Sequence, residues 1–147
     1  MFILLIMILL HITDDFVLQP ICLSKLKQKD TWVKYCTGED GQLDLKKWML
    51  YGADYKVALV VHALSWSIMI VLPFMCLSIY RVIIGTDVFN NWNTDLFFFG
   101  SVVWNTFIHA YIDHVKANVK TISLMHDQFM HFLQILLTFI VGMSIYF

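Results

Sequence analysis

The pattern of apolar and polar positions divides the chain into four apolar segments joined by polar connections. Apolar residues dominate at about 2–19, 57–84, 96–112 and 125–147. A stretch of about 20 apolar residues is long enough to cross a bilayer as a helix. The pattern therefore predicts an all-α protein, a four-span transmembrane helical bundle that forms a single domain over the whole chain.

The first connection, residues 20–56, is the longest polar segment. It mixes seven lysines with five acidic residues, and a turn is expected near Gly38 and Gly41. Short amphipathic stretches lie on either side of this turn, around Leu26–Tyr35 and Leu43–Tyr51. Trp and Tyr next to Lys are typical of helices that lie among lipid headgroups. We expect short interfacial helices in this connection.

Composition supports a membrane protein and excludes several other classes. Of the 147 residues, 59% are apolar and 14% are charged, whereas soluble domains have about 45–50% and about 25%. The basic residues form no clustered face of the kind that binds nucleic acid.

Met1 to Leu18 lacks the basic start and small-residue cleavage site of a secretory signal peptide, so we expect it to be a span. Cys22, Cys36 and Cys76 have no metal-binding spacing and are expected to be free thiols.

The distribution of basic residues predicts the orientation. Connections 20–56 and 113–126 hold all of the ten Lys and Arg residues except Arg81. Because connections rich in Lys and Arg stay in the cytoplasm, both connections are expected there. The chain would then be a multi-pass protein of the cell inner membrane, with both termini outside the cytoplasm.

Polar residues within the apolar segments fall at matching depths. His11 and Asp15 lie near the cytoplasmic end of the first span, and His62 lies near the start of the second. The third span ends with His109 and Asp113 at the same side. Asp127 and His131 open the fourth span. Residues four apart share one face of a helix, so each of the three His–Asp pairs is expected to point the same way.

Charged groups inside lipid are costly, and normally pair or face a cavity. Imidazole and carboxylate together suit Zn²⁺, Mn²⁺ or Fe²⁺ and require no thiolate. Seven candidate ligands exceed what one tetrahedral ion needs, which fits either two ions or one ion with carboxylates that orient its histidines. The predicted metal ligands are His11, Asp15, His62, His109, Asp113, Asp127 and His131. Asp14, His114 and His126 rank lower, because they lie off this face or nearer the aqueous connection.

Two other interpretations of the same residues stay open. A His–Asp pair one helical turn apart is also an ordinary intrahelical hydrogen bond, so the cluster could be a structural polar network. It could also be part of a proton or ion pathway. Against a pathway, the outer halves of the spans lack ionisable residues.

The order of motifs resembles a known family. Asp15-Phe16-Val17-Leu18-Gln19 follows His11, His62 lies in the second span, His109-x2-Ile112-Asp113 ends the third, and Asp127-Gln128-Phe129-Met130-His131 opens the fourth. This pattern is similar to that of the small bacterial and phage membrane proteins grouped as domain of unknown function family 3307. The resemblance covers all four spans. It implies that these residues form one site, and it implies no activity.

The sequence leaves three functions open. The first is a membrane-embedded, metal-dependent hydrolase that acts on lipid-like esters near the inner-leaflet headgroups, with Asp14 as general base. The second is a small proton- or ion-coupled transporter or channel, for which a homo-oligomer could supply the missing polar path. The third is a non-catalytic phage or bacterial membrane protein whose polar cluster is structural. In every case the lipid bilayer is the expected partner.

Overall fold

The computed structural model describes residues 1–18, 21–85 and 92–147, and describes only the backbone of Ile21 and Cys22. Within these ranges the chain is helical and contains no strand. Three expectations lie outside the described residues: the end of the first span and its motif at Gln19, the free thiol of Cys22, and part of the connection between the second and third spans.

The long helices follow the predicted apolar segments closely. We label the α-helices of the described residues, long and short, α1 to α7 in chain order. Two π-helical turns extend the helices of the first and third apolar segments. The elements are α1 (Phe2–Thr13), a π turn (Asp14–Leu18), α2 (Ile21–Leu26), α3 (Lys29–Cys36), α4 (Leu45–Tyr51), α5 (Asp54–Ile83), α6 (Trp92–His114), a π turn (Val115–Val119) and α7 (Leu124–Tyr146). The first α-helix is therefore shorter than predicted, because a π turn completes its last residues.

Helix α5 is the centre of the bundle. Its 30 residues give a length of about 45 Å, and it contacts α1, α6 and α7. Successive long helices run in opposite directions through the bundle. The end of α1, the start of α5, the end of α6 and the start of α7 therefore lie at the same end of the bundle, as the sequence predicts.

An apolar core fills the half of the bundle away from that end. Trp66, Ile70 and Phe74 of α5 pack with Phe97 and Ile135 of the neighbouring helices. The core allows no side chain at Gly142, because a Cβ there would overlap the ring of Phe74.

The far end of the bundle is closed by a small polar contact. The hydroxyls of Ser78 and Tyr146 share a hydrogen bond. Arg81 Nη2 donates to the main-chain oxygen of Tyr146 at 2.9 Å. Arg81, the single basic residue expected on this side, is thus tied to the C-terminal turn of α7.

The polar connection after α1 folds against the start of α5 and the second π turn. Its turn is present, with Gly41 at a φ of 76° and the Gly38 N–H donating to Gln42 O. Asp44 begins α4 by accepting from the N–H groups of Lys46 and Lys47. These short helices confirm the expected helical character of the connection.

An exposed ion pair joins this connection to the one before α7. Lys120 Nζ donates to Asp30 Oδ2 at 2.6 Å. The hydrogen bond and charge of Lys120 hold the pKa of Asp30 below its usual value. The pair therefore ties the two predicted cytoplasmic connections to each other.

Two stretches of the described chain are long and apolar enough to cross a membrane, Leu45–Ile83 and Leu124–Tyr146. Helix α6 is as long as α7 but carries Asn105, His109 and Asp113 among its apolar residues. Large apolar side chains are exposed along the long helices, for example Leu5, Phe107 and Leu137. Monomeric soluble proteins rarely expose apolar surface so continuously.

Candidate functional site

The predicted histidines and aspartates meet at one end of the bundle. We define the His/Asp cluster as His11, Asp15, His62, His109, Asp113, Asp127 and His131. Within each helix the His and Asp side chains of the expected pair lie close together. His11 Nδ1 lies 3.8 Å from Asp15 Oδ2, and His109 Nε2 lies 3.9 Å from Asp113 Oδ2. The third pair, His131 Nε2 and Asp127 Oδ1, is separated by 3.4 Å.

His62 connects the pairs across the helices. Its Nε2 lies 3.5 Å from Asp15 Oδ1 and 3.5 Å from Asp113 Oδ2. The same nitrogen lies 3.1 Å from His109 Nε2. His131 Nε2 lies 3.8 Å from the other oxygen of Asp113. The cluster therefore joins α1, α5, α6 and α7.

The contacts within the cluster have the dimensions of a metal site. Two groups bring their ligand atoms within 4.8 Å of one another: Asp15, His62 and His109, and then His109, Asp113 and His131. Two nitrogen ligands of a tetrahedral ion lie about 3.3 Å apart, given bond lengths of about 2.0–2.1 Å. His109 belongs to both groups, and its Nε2 lies close to both His62 and Asp113. Because one nitrogen binds one ion, the two groups fit a single ion better than two.

The tautomer of His131 is set by its neighbours on α6 and α7. Gln134 Nε2 donates to the main-chain oxygen of Asn105 at 3.3 Å, and that oxygen can only accept. Gln134 therefore presents Oε1 to His131 Nδ1, 3.3 Å away, so Nδ1 carries the hydrogen. The amide of Asn105 is held in turn by a 2.9 Å hydrogen bond to Thr138.

His131 Nε2 is a buried nitrogen that faces two carboxylates, and it is an acceptor when the imidazole is neutral. It has no hydrogen-bond partner among the described residues, and neither has Asp127 Oδ1. A nitrogen lone pair and carboxylate oxygens repel one another unless a cation lies between them. Either a second proton on His131 or a metal ion satisfies this arrangement.

His11 makes hydrogen bonds through both of its ring nitrogens. Trp66 Nε1 donates to His11 Nδ1 at 2.8 Å, and His11 Nε2 then donates to Gln128 Oε1 at 3.1 Å. Gln128 Nε2 donates onward to Asp127 Oδ2 at 3.1 Å. Because an indole N–H can only donate, the direction of this chain is fixed. Both nitrogens of His11 take part in this chain, which ends on Asp127, and the ligand role of His11 stays a prediction.

Trp66 also shapes the apolar wall of the cluster. Its ring stacks on that of His109 with centroids 4.3 Å apart, and His109 stacks on His131 at 4.2 Å. This stack fixes the planes of both imidazoles. Trp66 therefore separates the cluster from the apolar core beneath it.

Two lysines enter the cluster from the predicted cytoplasmic side. Lys27 Nζ donates to Asp113 Oδ2 at 2.6 Å, and Lys116 Nζ donates to Asp127 Oδ2 at 2.5 Å. The sequence predicts only topology and headgroup contacts for these lysines. Each provides the cationic partner that a buried carboxylate needs.

The lower-ranked candidates lie outside the groups of converging ligand atoms. Asp14 is buried and accepts from Ser65 Oγ at 3.3 Å, so its general-base role stays a prediction. The ring of His114 stacks on that of Tyr55, and His126 Nδ1 lies 2.8 Å from Ser123 Oγ. Cys36 and Cys76, the cysteines whose side chains the structure describes, are free thiols as expected.

Comparisons with protein-family models, curated proteins and solved structures give no match to this chain. The resemblance to the family of unknown function therefore stays a prediction. The geometry of the site defines a helical protein with a buried His/Asp cluster that could hold a metal ion.

Proposed function

We propose that the chain is a four-span protein of the inner membrane, related to the family that its motifs resemble, with the His/Asp cluster in the cytoplasmic leaflet. Two helices with spanning length and apolarity support this proposal, as does the exposed apolar surface of α1 and α6. The 23 residues of α6 would cover about 34 Å, more than the hydrocarbon thickness of about 30 Å. The lysine-rich connections would then lie in the cytoplasm.

Within this bundle we propose a single divalent ion, of the class Zn²⁺, Mn²⁺ or Fe²⁺. The ligands would come from Asp15, His62, His109, Asp113 and His131. The observation that carries the proposal is His131 Nε2, a buried nitrogen with no hydrogen-bond partner among the described residues that lies 3.4 and 3.8 Å from carboxylate oxygens. A ligating histidine commonly donates its other N–H to an oxygen, as His131 does to Gln134.

The activity we propose is hydrolysis of a lipid-like ester at the inner leaflet. The ion would supply an activated water as nucleophile at neutral pH. Gln134 would orient the ligand His131, and His11 and Gln128 would orient Asp127, the carboxylate that faces His131 Nε2. Lys27 and Lys116 lie on the side of the cluster that faces the predicted cytoplasm.

A structural polar network is the second candidate, and the lysines favour it. Lys27 and Lys116 already neutralise Asp113 and Asp127, and a proton on His131 Nε2 would complete the network without metal. A transport function has less support. The buried apolar residues Ile70, Phe74 and Phe97 separate the cluster from the polar contact at the far end.

Hydrolysis is tested with purified protein in detergent and a short-chain phospholipid as substrate. We expect release of product, detected by mass spectrometry, to fall about 100-fold on chelation and to return on addition of Zn²⁺, Mn²⁺ or Fe²⁺. His109→Ala should lower turnover similarly, because it removes the ligand common to both groups. His126→Ala is the matched control, since its side chain contacts Ser123 and lies outside the cluster. Turnover that resists chelation, or none from protein shown to contain metal, would refute the proposed activity.

A further inference from the structure

Three aromatic rings in the first polar connection lie beside one another. Trp32 and Tyr35 are three residues apart on α3, so their side chains share a face of that helix. The centroids of these two rings are 6.1 Å apart, and those of Tyr35 and Tyr51 of α4 are 5.7 Å apart. The ring of Tyr35 is inclined by 80° to each of the other two. The rings therefore meet edge to face instead of stacking.

A cavity of about 380 Å³ lies against these rings. It is found where the last residues of α2 and α4, the middle of α3 and the first residue of α5 meet. Its lining residues are Leu26, Thr31, Trp32, Tyr35, Tyr51 and Asp54. None of these belongs to the His/Asp cluster. Because sites for small molecules commonly have volumes of about 300–1,000 Å³, the cavity is large enough for a small ligand.

Hydrogen bonds hold the walls of the cavity in place. Trp32 Nε1 donates to the main-chain oxygen of Leu26 at 2.9 Å, which fixes the indole against the end of α2. The N–H of Asp44 donates to the main-chain oxygen of Cys36 at 2.8 Å. This second bond joins the end of α3 to the start of α4. The two helices that carry the rings are therefore tied together.

The charge of the cavity is negative. Asp54, in the first turn of α5, is the one charged residue among the described residues that line it. Nearby lysines contact other rings: Lys29 Nζ lies 5.8 Å from the ring centroid of Trp48, and Lys56 Nζ lies 6.0 Å from that of Tyr55. The faces of aromatic rings also attract positive charge. The cavity is therefore complementary to a cation.

From the three rings and this carboxylate we propose that the cavity binds a quaternary ammonium group, such as that of choline. A primary ammonium group is strongly hydrated and needs acceptors for three N–H groups, which rings supply poorly. A quaternary ammonium group has no N–H, and its methyl groups pack against ring faces. Asp54 supplies the counter-charge. This site is separate from the proposed metal site and does not depend on it.

The quaternary ammonium group could belong to a lipid headgroup or to a soluble molecule. Helix α4, which carries Tyr51, exposes Leu45, Met49 and Leu50, as expected of a helix at the level of lipid headgroups. Choline and dihexanoyl phosphatidylcholine serve as separate probes, with the protein in dodecyl maltoside, a detergent without an ammonium group. Tighter binding of the lipid probe identifies a lipid headgroup as the source, and equal or tighter binding of choline identifies a soluble one.

Binding is measured by proton magnetic resonance of the N-methyl groups, whose signals shift when they lie over aromatic rings. Dimethylbutanol, the neutral analogue of choline in which a carbon atom replaces the nitrogen, tests whether the charge is recognised. We expect it to bind to the wild type at least tenfold more weakly than choline, because it is attracted neither by the ring faces nor by Asp54.

Tyr35→Ala is the main variant, because Tyr35 is 58% exposed and misfolding is a small risk. Affinity for the tighter-binding probe should fall about fivefold, and Tyr35→Phe should retain it because the ring stays. Asp54→Asn should weaken binding about tenfold, since it removes the counter-charge. The matched controls are Tyr80→Ala, where the tyrosine is also 58% exposed, and Asp95→Asn, in the first turn of α6. Both controls should bind like the wild type.

Unchanged affinity in either Tyr35→Ala or Asp54→Asn, in protein that unfolds at the wild-type temperature, would overturn this inference. Equal binding of dimethylbutanol and choline to the wild type would also overturn it. So would the absence of saturable binding of both ammonium probes. These measurements do not involve metal content, so a failure here leaves the proposed metal site unaffected.

Discussion

Asp113→Asn is expected to abolish metal binding and to destabilise the bundle. The side chain of Asp113 lies within 4 Å of His62, His109 and His131 and accepts from Lys27. Asn cannot supply the negative charge, so metal affinity should fall at least 100-fold. Removing one partner of a buried ion pair costs about 3–5 kcal/mol, because the other charge stays buried. Elemental mass spectrometry and thermal unfolding in detergent measure the two effects.

Asp95→Asn is the matched control for this substitution. Asp95 lies in the same helix but is exposed, so both metal content and unfolding temperature should match the wild type. Retention of metal and of stability in Asp113→Asn would contradict the role given to this carboxylate.

The double variant Asp113→Asn with Lys27→Met separates the two competing interpretations of the cluster. It removes both members of the 2.6 Å ion pair, so much of the lost stability should return. Metal should stay absent, because the carboxylate ligand is still missing. If the wild type also contains no metal, the recovery of stability would identify a structural ion-pair network.

The second large effect is expected from Gln134→Leu, a substitution outside the proposed ligand set. It removes the acceptor that places the hydrogen of His131 on Nδ1. Without it, His131 is free to turn its hydrogen toward the site, and metal affinity should fall about 10- to 100-fold. Competition with a chelator of known affinity measures this change.

Gln134→Glu is the informative comparison, because it keeps an acceptor next to His131 Nδ1 and should retain most of the affinity. Nitrogen-15 spectra of histidine-labelled protein would show the tautomer directly. We expect the Nδ1–H form of His131 in the wild type and a mixture in Gln134→Leu. An unchanged tautomer with weakened metal binding would mean that Gln134 acts through packing instead.

Much of the site geometry could be predicted because it depends on helix periodicity. His109 and Asp113 share a face by their spacing, and so do Asp127 and His131. The depth of His62 follows from its distance to the start of α5. The bundle then brings these positions together, since successive long helices alternate in direction.

The hydrogen-bond directions could not be predicted in the same way. His11 Nδ1 accepts from Trp66, which lies 55 positions along the chain. No local pattern fixes that contact, although Trp66 follows His62 by one helical turn and so shares its face. Gln134 lies three residues after His131, so the spacing also indicates that these two residues share a helix face.

The contacts of Lys27 and Lys116 with the buried carboxylates could not be predicted from the sequence. Lys27 reaches Asp113 across 86 positions, and its backbone is held by Asn118. Such contacts between connections depend on how the connections fold, and neither hydropathy nor charge distribution determines that. Lysines expected at lipid headgroups therefore turn out to contact the buried carboxylates.

The most direct test of a metal site in this cluster is the metal-to-protein ratio of purified wild type beside His131→Ala and His126→Ala. We expect about one divalent ion per chain in the wild type and in His126→Ala, and loss of the ion in His131→Ala. Absence of metal from the wild type after incubation with Zn²⁺, Mn²⁺ and Fe²⁺ in turn would contradict a metal site in this cluster. Equal metal in all three proteins would contradict it as well.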